Sequence, residues 1–222
     1  SYAAKPDRNR LMNLAADYLT AGGFTEIMSN SLTKESYYEG LTSYPAARCV
    51  RILNPLSADL NVMRQTLPFN TMEAVQLNAN RRNGNLRLYE FGNCYFYDEA
   101  ARDAEKPLSA YSEQYRLAIA VTGAAVPQSW NAKPQASSFF TLRAVAEKLL
   151  RRFGLDIYAL KCEPLQSDLF GDGISLSAGN GRELLQMGVV APRIRRAFDL
   201  KQEVYYLEMN FDALVKSTRK HR

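Results

Sequence analysis

The sequence predicts an α+β fold in which a mainly antiparallel sheet is flanked by helices. Two long segments, around residues 6–21 and 139–153, carry apolar residues at helical spacing. Other apolar segments are short and rich in β-branched and aromatic residues, which is typical of strands. These strand candidates follow helices in some places and follow one another directly in others. The regular strand–helix alternation of a parallel, doubly wound sheet is therefore missing.

The first helix is predicted over residues 6–21, and Gly22-Gly23 is expected to end it because glycine readily takes the left-handed conformation that closes many helices. The second strong helix is predicted over 139–153, with four side chains on its buried side. These are Phe140, Val145, Leu149 and Leu150.

The remaining segments alternate between strand and helix signals. In chain order, they are a strand over 24–32, a polar helix over 33–40, a strand over 49–53, a helix over 68–82, a long strand or strand pair over 86–98, a strand over 115–121, strands over 158–162, 174–178 and 184–190, a helix over 192–200, a strand over 204–209 and a terminal helical turn from Asp212. Hairpin turns are predicted at Gly171–Gly173 and Gly179–Gly181, which lie between strand candidates.

The composition removes several classes of function. The chain has 222 residues, 46% hydrophobic and 23% charged, which are globular proportions. Its single histidine, His221, excludes a Ser-His-Asp triad and a multi-histidine metal site within this chain. Three cysteines without a CxxC spacing favour a reducing, cytoplasmic setting. We predict no catalytic, cofactor-binding or metal-binding residue, and neither a membrane span nor a secretory signal.

The net charge of +5 lies largely at the C-terminus, where four cations fall within the last seven residues. Residues 216–222 are therefore predicted to form a basic tail, or a linker to a missing C-terminal domain. Residues 1–215 are predicted to form the core, as one unit or as two lobes over about 1–125 and 126–215. Since the chain starts at Ser1 and stops abruptly, we expect it to be a segment of a longer protein.

Short basic clusters occur at Arg81-Arg82, Arg151-Arg152 and Arg195-Arg196. Each lies near the end of a predicted helix, where cations complement the carbonyl end of the helix dipole. They would contact phosphates together only if they shared a surface, and the sequence leaves both interpretations open.

Five segments along most of the chain carry recognisable motifs. They are Gly23–Thr33, Arg51–Leu67, Asn80–Gly92, Met187–Pro192 and Tyr206–Leu214. In order and spacing, these motifs resemble those of the bacterial phenylalanyl-tRNA synthetase β chain. The resemblance implies a class II aminoacyl-tRNA synthetase-like core that is an inactive copy of the catalytic fold. It also implies a catalytic α chain as partner, a heterotetramer of two α and two β chains, tRNA bound through the whole complex, and ATP and magnesium used by the whole enzyme.

The residues also argue against catalysis by this segment. Class II sites hold ATP with an Arg-x-Glu strand and a Gly-x-Gly-x-x-x-Arg helix. Arg87 and Glu90 are three apart, so they face opposite sides of a strand. The arginine position after each glycine pair holds Ser177 or Leu185. Without these arginines the charge that develops on the phosphate has no clamp.

The leading hypothesis is therefore a non-catalytic core that supports assembly with the α chain. A free-standing synthetase-like RNA-binding or regulatory domain is the alternative. A partner interface is predicted on the first helix, whose apolar side is wider than one core contact requires. Its residues are Leu11, Met12, Ala15, Ala16 and Leu19. Of these, Met12 and Ala16 are expected to point away from the chain's own sheet.

Overall fold

A computed structural model describes residues 7–218, which form five helices around a seven-stranded sheet. The helices are α1 (Arg8–Ala21), α2 (Pro68–Asn80), α3 (Phe139–Arg152), α4 (Pro192–Ala197) and α5 (Phe211–Thr218). The strands are β1 (Thr25–Glu26), β2 (Leu32–Thr33), β3 (Val50–Arg51), β4 (Val62–Met63), β5 (Leu86–Tyr97), β6 (Tyr111–Thr122), β7 (Ala124–Val126), β8 (Gln135–Ala136), β9 (Lys161–Pro164), β10 (Phe170–Ser177), β11 (Glu183–Val190) and β12 (Val204–Asn210).

The main sheet has the strand order β1-β5-β6-β12-β11-β10-β9. β1 pairs in parallel with β5, and the other neighbours are antiparallel. β2, β4 and β3 form a small second sheet, and β7 and β8 form a two-stranded ribbon. The prediction of a mainly antiparallel α+β fold is confirmed.

Each face of the main sheet is covered by its own apolar cluster. The first cluster joins α1, α3 and α5 to the sheet through side chains such as Leu19, Leu149 and Phe211, all fully buried. The second cluster joins α2 and α4 to the opposite face, with Met72 and Ile194 among its members. The alternation of side chains along each strand supplies one row to each cluster.

The helices begin and end where their capping residues place them. Asp7 caps α1 by accepting hydrogen bonds from the backbone of Asn9 and Arg10. Ser138 and Thr141 form a capping box at the start of α3. The buried side of α3 consists of Leu142, Ala146, Leu149 and Leu150. The prediction that Phe140 lies on the buried side was wrong. Phe140 is in the first turn of α3, and its ring points outward and is 73% exposed.

Two local predictions require correction. The segment 24–32 is not one strand: β1 ends at Glu26, and the chain then leaves the main sheet to form β2 in the small sheet. Gly171–Gly173 is not a hairpin turn, because β10 runs through it. A Cβ at Gly173 would lie 2.6 Å from the carbonyl oxygen of Met187 on β11, so this glycine permits close strand contact. The turn at Gly179–Gly181 is present as predicted.

The two segments considered as lobes share one sheet and one core. β6 from the first segment pairs with β12 from the second over seven residue pairs, and both apolar clusters contain residues from both segments. Residue 125 is therefore not a boundary between separate cores. Lys216 lies in the last turn of α5 rather than in a linker, and residues 219–222 of the predicted basic tail lie outside the described residues.

Candidate functional site

The sheet face beneath α2 and α4 carries two buried carboxylates. Glu90 on β5 is 1% exposed and Glu208 on β12 is 7% exposed. Both lie opposite Ala118 of the intervening strand β6, one on each side, so they share a face and are about 10 Å apart. Buried charges are costly without partners. We refer to these carboxylates, with Arg64 and Arg116, as the buried network.

Glu90 is held by a segment that lies outside the main sheet. Arg64 Nη1 donates to Glu90 Oε1 at 2.8 Å, and the Arg64 side chain is only 4% exposed. The backbone N–H and hydroxyl of Ser29 also donate to this carboxylate, at 3.0 and 2.9 Å. Gly92 makes room for the arginine, because a Cβ there would overlap Arg64 Nη2. Glu90 is thus fully occupied by groups of its own chain.

Glu208 is enclosed in the same way. The Thr66 hydroxyl lies 2.9 and 2.8 Å from its two oxygens, and the backbone N–H of Leu67 donates to Oε2 at 3.1 Å. The Tyr206 hydroxyl donates to Oε2 at 2.6 Å, and Arg116 Nη1 donates to Oε1. These donors leave Glu208 no capacity for a metal ion or a substrate.

The protonation of these partners is fixed by their surroundings. Burial, reinforced by the charge of Glu208, raises the pKa of Tyr206 well above its ordinary value, so the phenol stays protonated and donates. Burial opposes the charge on Arg116, but Tyr44 and Glu208 together raise the pKa of Arg116 well above its usual range. Tyr206 therefore stays a hydrogen-bond donor and Arg116 a cation across physiological pH.

A pocket of about 300 Å³ opens beside Arg116 and Glu208, at the low end of the range for ligand pockets. Its polar walls bind one another. Arg116 donates to the Tyr44 hydroxyl at 3.1 Å and to Gln114 Oε1 at 2.9 Å. Asn210 Nδ2 donates to the same Gln114 oxygen at 3.3 Å. Most of the hydrogen bonds in this lining are internal, but Arg116 Nε is buried without a partner within residues 7–218, and Arg182 also lines the pocket.

On β5 the arginine does not share a face with the buried glutamate. Arg87 and Glu90 do face opposite sides of β5, and Arg87 donates to the carbonyls of Gly22 and Ala125 beside α1. The same-face position two residues before Glu90 is Leu88, which is buried. On this face the two arginines of the buried network, Arg64 and Arg116, already bind carboxylates of the same chain.

Neither glycine pair, Gly171–Gly173 or Gly179–Gly181, leads into a helix as the Gly-x-Gly-x-x-x-Arg motif would. The strand that runs directly into a helix is β12, followed by α5 at Phe211. Glu208 and Asn210 are alternating residues at the end of β12, and α5 contains no arginine. The glycines near residues 171–181 resemble the start of this motif in sequence. In the structure, Gly173 has a different role: together with Gly188 it allows close approach of β10 and β11.

The five residues of the predicted partner interface divide into two groups. Ala15 and Leu19 are fully buried in the first apolar cluster, so they belong to the chain's own core and cannot contact a partner. They are four residues apart and therefore share the helix face toward the sheet. Leu11, Met12 and Ala16 are partly exposed at the edge of that cluster.

Sequence reasoning missed the buried network. Arg64 and Glu90 are 26 residues apart, and Arg116 and Glu208 are 92 apart, so spacing gave no indication of these ion pairs. A usable signal was present, since Glu208 is the single charge of β12 and Glu90 is the single acidic residue of β5. Such residues are almost never buried unless paired.

Within residues 7–218, no three histidine, cysteine or acidic side chains converge as metal ligands would. Over the same residues, no helix has the length and apolarity that a bilayer span requires.

Comparison with known proteins agrees with this geometry. Residues 1–211 match the family model described as the phenylalanyl tRNA synthetase beta chain CLM domain. The chain is 44% identical over 211 residues to a phenylalanine–tRNA ligase beta subunit of Bacteroides thetaiotaomicron, covering 95% of this chain and 26% of the relative. It is 37% identical over 215 residues to the corresponding subunit of Porphyromonas gingivalis, covering 97% and 26%. The chain thus spans about a quarter of these relatives.

The fold has solved counterparts. A crystal structure of pyrrolysyl-tRNA synthetase from Desulfitobacterium hafniense superposes with a TM-score of 0.71 at 14% identity, covering 97% of this chain and 71% of that one. The predicted class II synthetase-like core is therefore confirmed. Together with the family model and the 44% identical relative, it shows that the chain belongs to the family of phenylalanyl-tRNA synthetase β chain CLM domains.

Proposed function

We propose that this chain is the non-catalytic core of the β chain of a phenylalanine–tRNA ligase, where it supports assembly with the catalytic α chain. Through that assembly it serves ATP-dependent charging of tRNA with phenylalanine. The observation that carries this proposal is the buried network. Glu90 and Glu208 occupy the sheet face of a synthetase core and are neutralised by Arg64 and Arg116 of the same chain.

The remaining features of the whole enzyme follow from the same proposal. ATP and magnesium act at the α chain, and two α and two β chains form the enzyme in the cytoplasm. No reaction step is assigned to the residues of this chain, because its sheet face is filled by its own ion pairs.

Inactivity of the isolated chain is tested by phenylalanine-dependent ATP–pyrophosphate exchange. The purified 222-residue chain should give only background exchange, while the α chain together with a complete β chain serves as the positive control. Exchange well above background by this chain alone would overturn the proposal.

The partner surface is placed on the partly exposed side of α1. Met12 lies at the edge of the first cluster, where its sulfur lies 3.2 Å from the Tyr115 hydroxyl. Ala16 follows one helical turn later. A second body covering this edge would complete the burial of Leu11, Met12 and Ala16.

The interface is tested by capture of the α chain with the Met12→Glu, Ala16→Glu variant. We expect capture to fail while the melting temperature of the variant is retained. Asn9→Glu with Asn13→Glu is the matched control, because both side chains are exposed on α1 at the same spacing. If the control also fails, general charge repulsion is responsible. If the Met12 variant unfolds while Ala16→Glu alone still captures the α chain, the interface lies elsewhere.

A further inference from the structure

Two loops meet at one end of the main sheet. Residues 81–85 lead into β5, and residues 198–203 lead into β12. Leu86 and Val204 both lie opposite Thr122 of β6, so the two strand starts are about 10 Å apart, with one strand between them. The Gln202 side chain donates to the carbonyl of Gly84 at 2.5 Å and joins the loops directly. Two of the three basic clusters of the sequence therefore share a surface.

This surface is strongly positive. Residues 81–85 and 192–203 contain six basic residues and two acidic residues, Asp199 and Glu203. Arg193 turns away toward the carbonyls of Glu39 and Gly40. The other five define what we call the basic end surface. They are Arg81, Arg82, Arg195, Arg196 and Lys201. Among residues 7–218, no salt bridge involves any of these five side chains.

Helix-end electrostatics alone do not account for these cations. Arg151 and Arg152 also end a helix, but Arg151 binds Glu147 at 2.9 Å and Arg152 stacks 4.7 Å above the Tyr18 ring. They lie on the opposite face of the sheet, where α3 packs. By contrast, Arg81 and Arg82 are exposed and make no such contacts with acidic or aromatic side chains.

The backbone of the basic end surface is also unusual. Within the described residues, two non-glycine residues have a positive φ, and both lie here: Arg82 at 62° and Asp199 at 51°. Each follows the capping residue of a helix, α2 or α4. Glycine is the usual residue at this position because it has no Cβ to strain. A non-glycine residue in this conformation costs on the order of 1 kcal/mol, so Arg82 is a position whose side chain can be tested.

We propose that the basic end surface binds the phosphate backbone of RNA. Five separate cations with exposed amides at Asn83 and Asn85 suit an extended polyanion rather than a small ligand in a pocket. The apolar residues of the second loop, such as Phe198 and Leu200, are buried, so the surface has no anchor for a lipid bilayer. The choice of RNA over DNA rests on the proposed function.

The test measures binding of an unmodified tRNA transcript to the full 222-residue chain. Fluorescence anisotropy monitors the binding at salt concentrations between about 50 and 200 mM. Arg81→Gln with Arg82→Gln, and separately Arg196→Gln with Lys201→Gln, should each weaken binding by about fivefold or more and lower the log–log salt slope by about 1.5. Arg151→Gln with Arg152→Gln removes the same charge from the opposite face and should change binding less than about twofold.

Equal losses in all three variants would reflect net charge alone and would overturn the proposal, as would no loss in the first two. Stronger binding to phosphatidylserine vesicles than to tRNA would also overturn it.

Arg82→Gly separates binding from stability. Glycine relieves the left-handed backbone, so the melting temperature should stay equal or rise while tRNA binding weakens. A variant with unchanged binding would remove Arg82 from the proposed surface. Capture of the α chain by the same variants should be unaffected. If the unmodified chain fails to capture the α chain, the proposed function is wrong. The RNA-binding proposal is then still decided by the tRNA measurements alone.

Discussion

Glu90 shows how much one side chain depends on a distant segment. Its carboxylate is 1% exposed and depends on Arg64 for its countercharge. Replacing one partner of a buried ion pair leaves the other charge without compensation, whereas replacing both with apolar residues removes the problem.

We therefore expect Arg64→Met to lower the free energy of unfolding by about 3–5 kcal/mol. Arg64→Met combined with Glu90→Leu should recover most of that loss, because no buried charge remains. Urea unfolding followed by far-UV circular dichroism measures both variants. Additive losses in the double variant would show that the two side chains act independently.

At the scale of elements, β10 and β11 are packed unusually closely. A Cβ at Gly188 would overlap the carbonyl oxygen of Asp172 on β10, so the strands would have to separate. We expect Gly188→Ala to cost about 1–3 kcal/mol of unfolding free energy, as overpacking does in other cores.

Gly179→Ala is the control for this prediction. Gly179 lies in the turn between the same two strands, and an added Cβ there would meet nothing within 4 Å. Thermal unfolding should show a lower melting temperature for the first variant and little change for the second. Equal melting temperatures for the two variants would mean that β10 and β11 accommodate the added Cβ without loss of stability.

The elements that sequence patterns predicted well are those with long, regular burial. The helices α1 and α3 repeat their apolar positions over two or more turns. Strands such as β11 do so over four or more residues. Segments whose geometry depends on a distant neighbour were predicted poorly. Gly171 and Gly173 read as turn residues because the chain alone does not reveal how near β11 passes.

The site was harder to predict than the fold for a related reason. The sequence correctly placed Arg87 and Glu90 on opposite sides of a strand, since that follows from alternation alone. The ion-pair partner of Glu90 is Arg64, which lies in the loop after β4. Its position depends on how the small sheet docks against the main sheet, which no local pattern encodes.

The whole molecule should unfold as one unit, because the sheet takes strands from both halves of the chain. We expect a single calorimetric transition that coincides with the loss of far-UV circular dichroism. The lone tryptophan, Trp130, is 96% exposed, so its emission should change little during this transition. Two separate calorimetric transitions would restore the division near residue 125.

The position of β12 has a consequence for synthesis on the ribosome. Among the strands within residues 7–218 this one comes last, yet it lies between β6 and β11 in the sheet. Until residue 210 has left the exit tunnel, β6 and β11 each present an edge of unpaired backbone groups to solvent. Such edges recruit other chains during slow translation. Ribosome-associated chaperones should therefore engage this nascent chain late, and release it only when the central gap of the sheet has been filled.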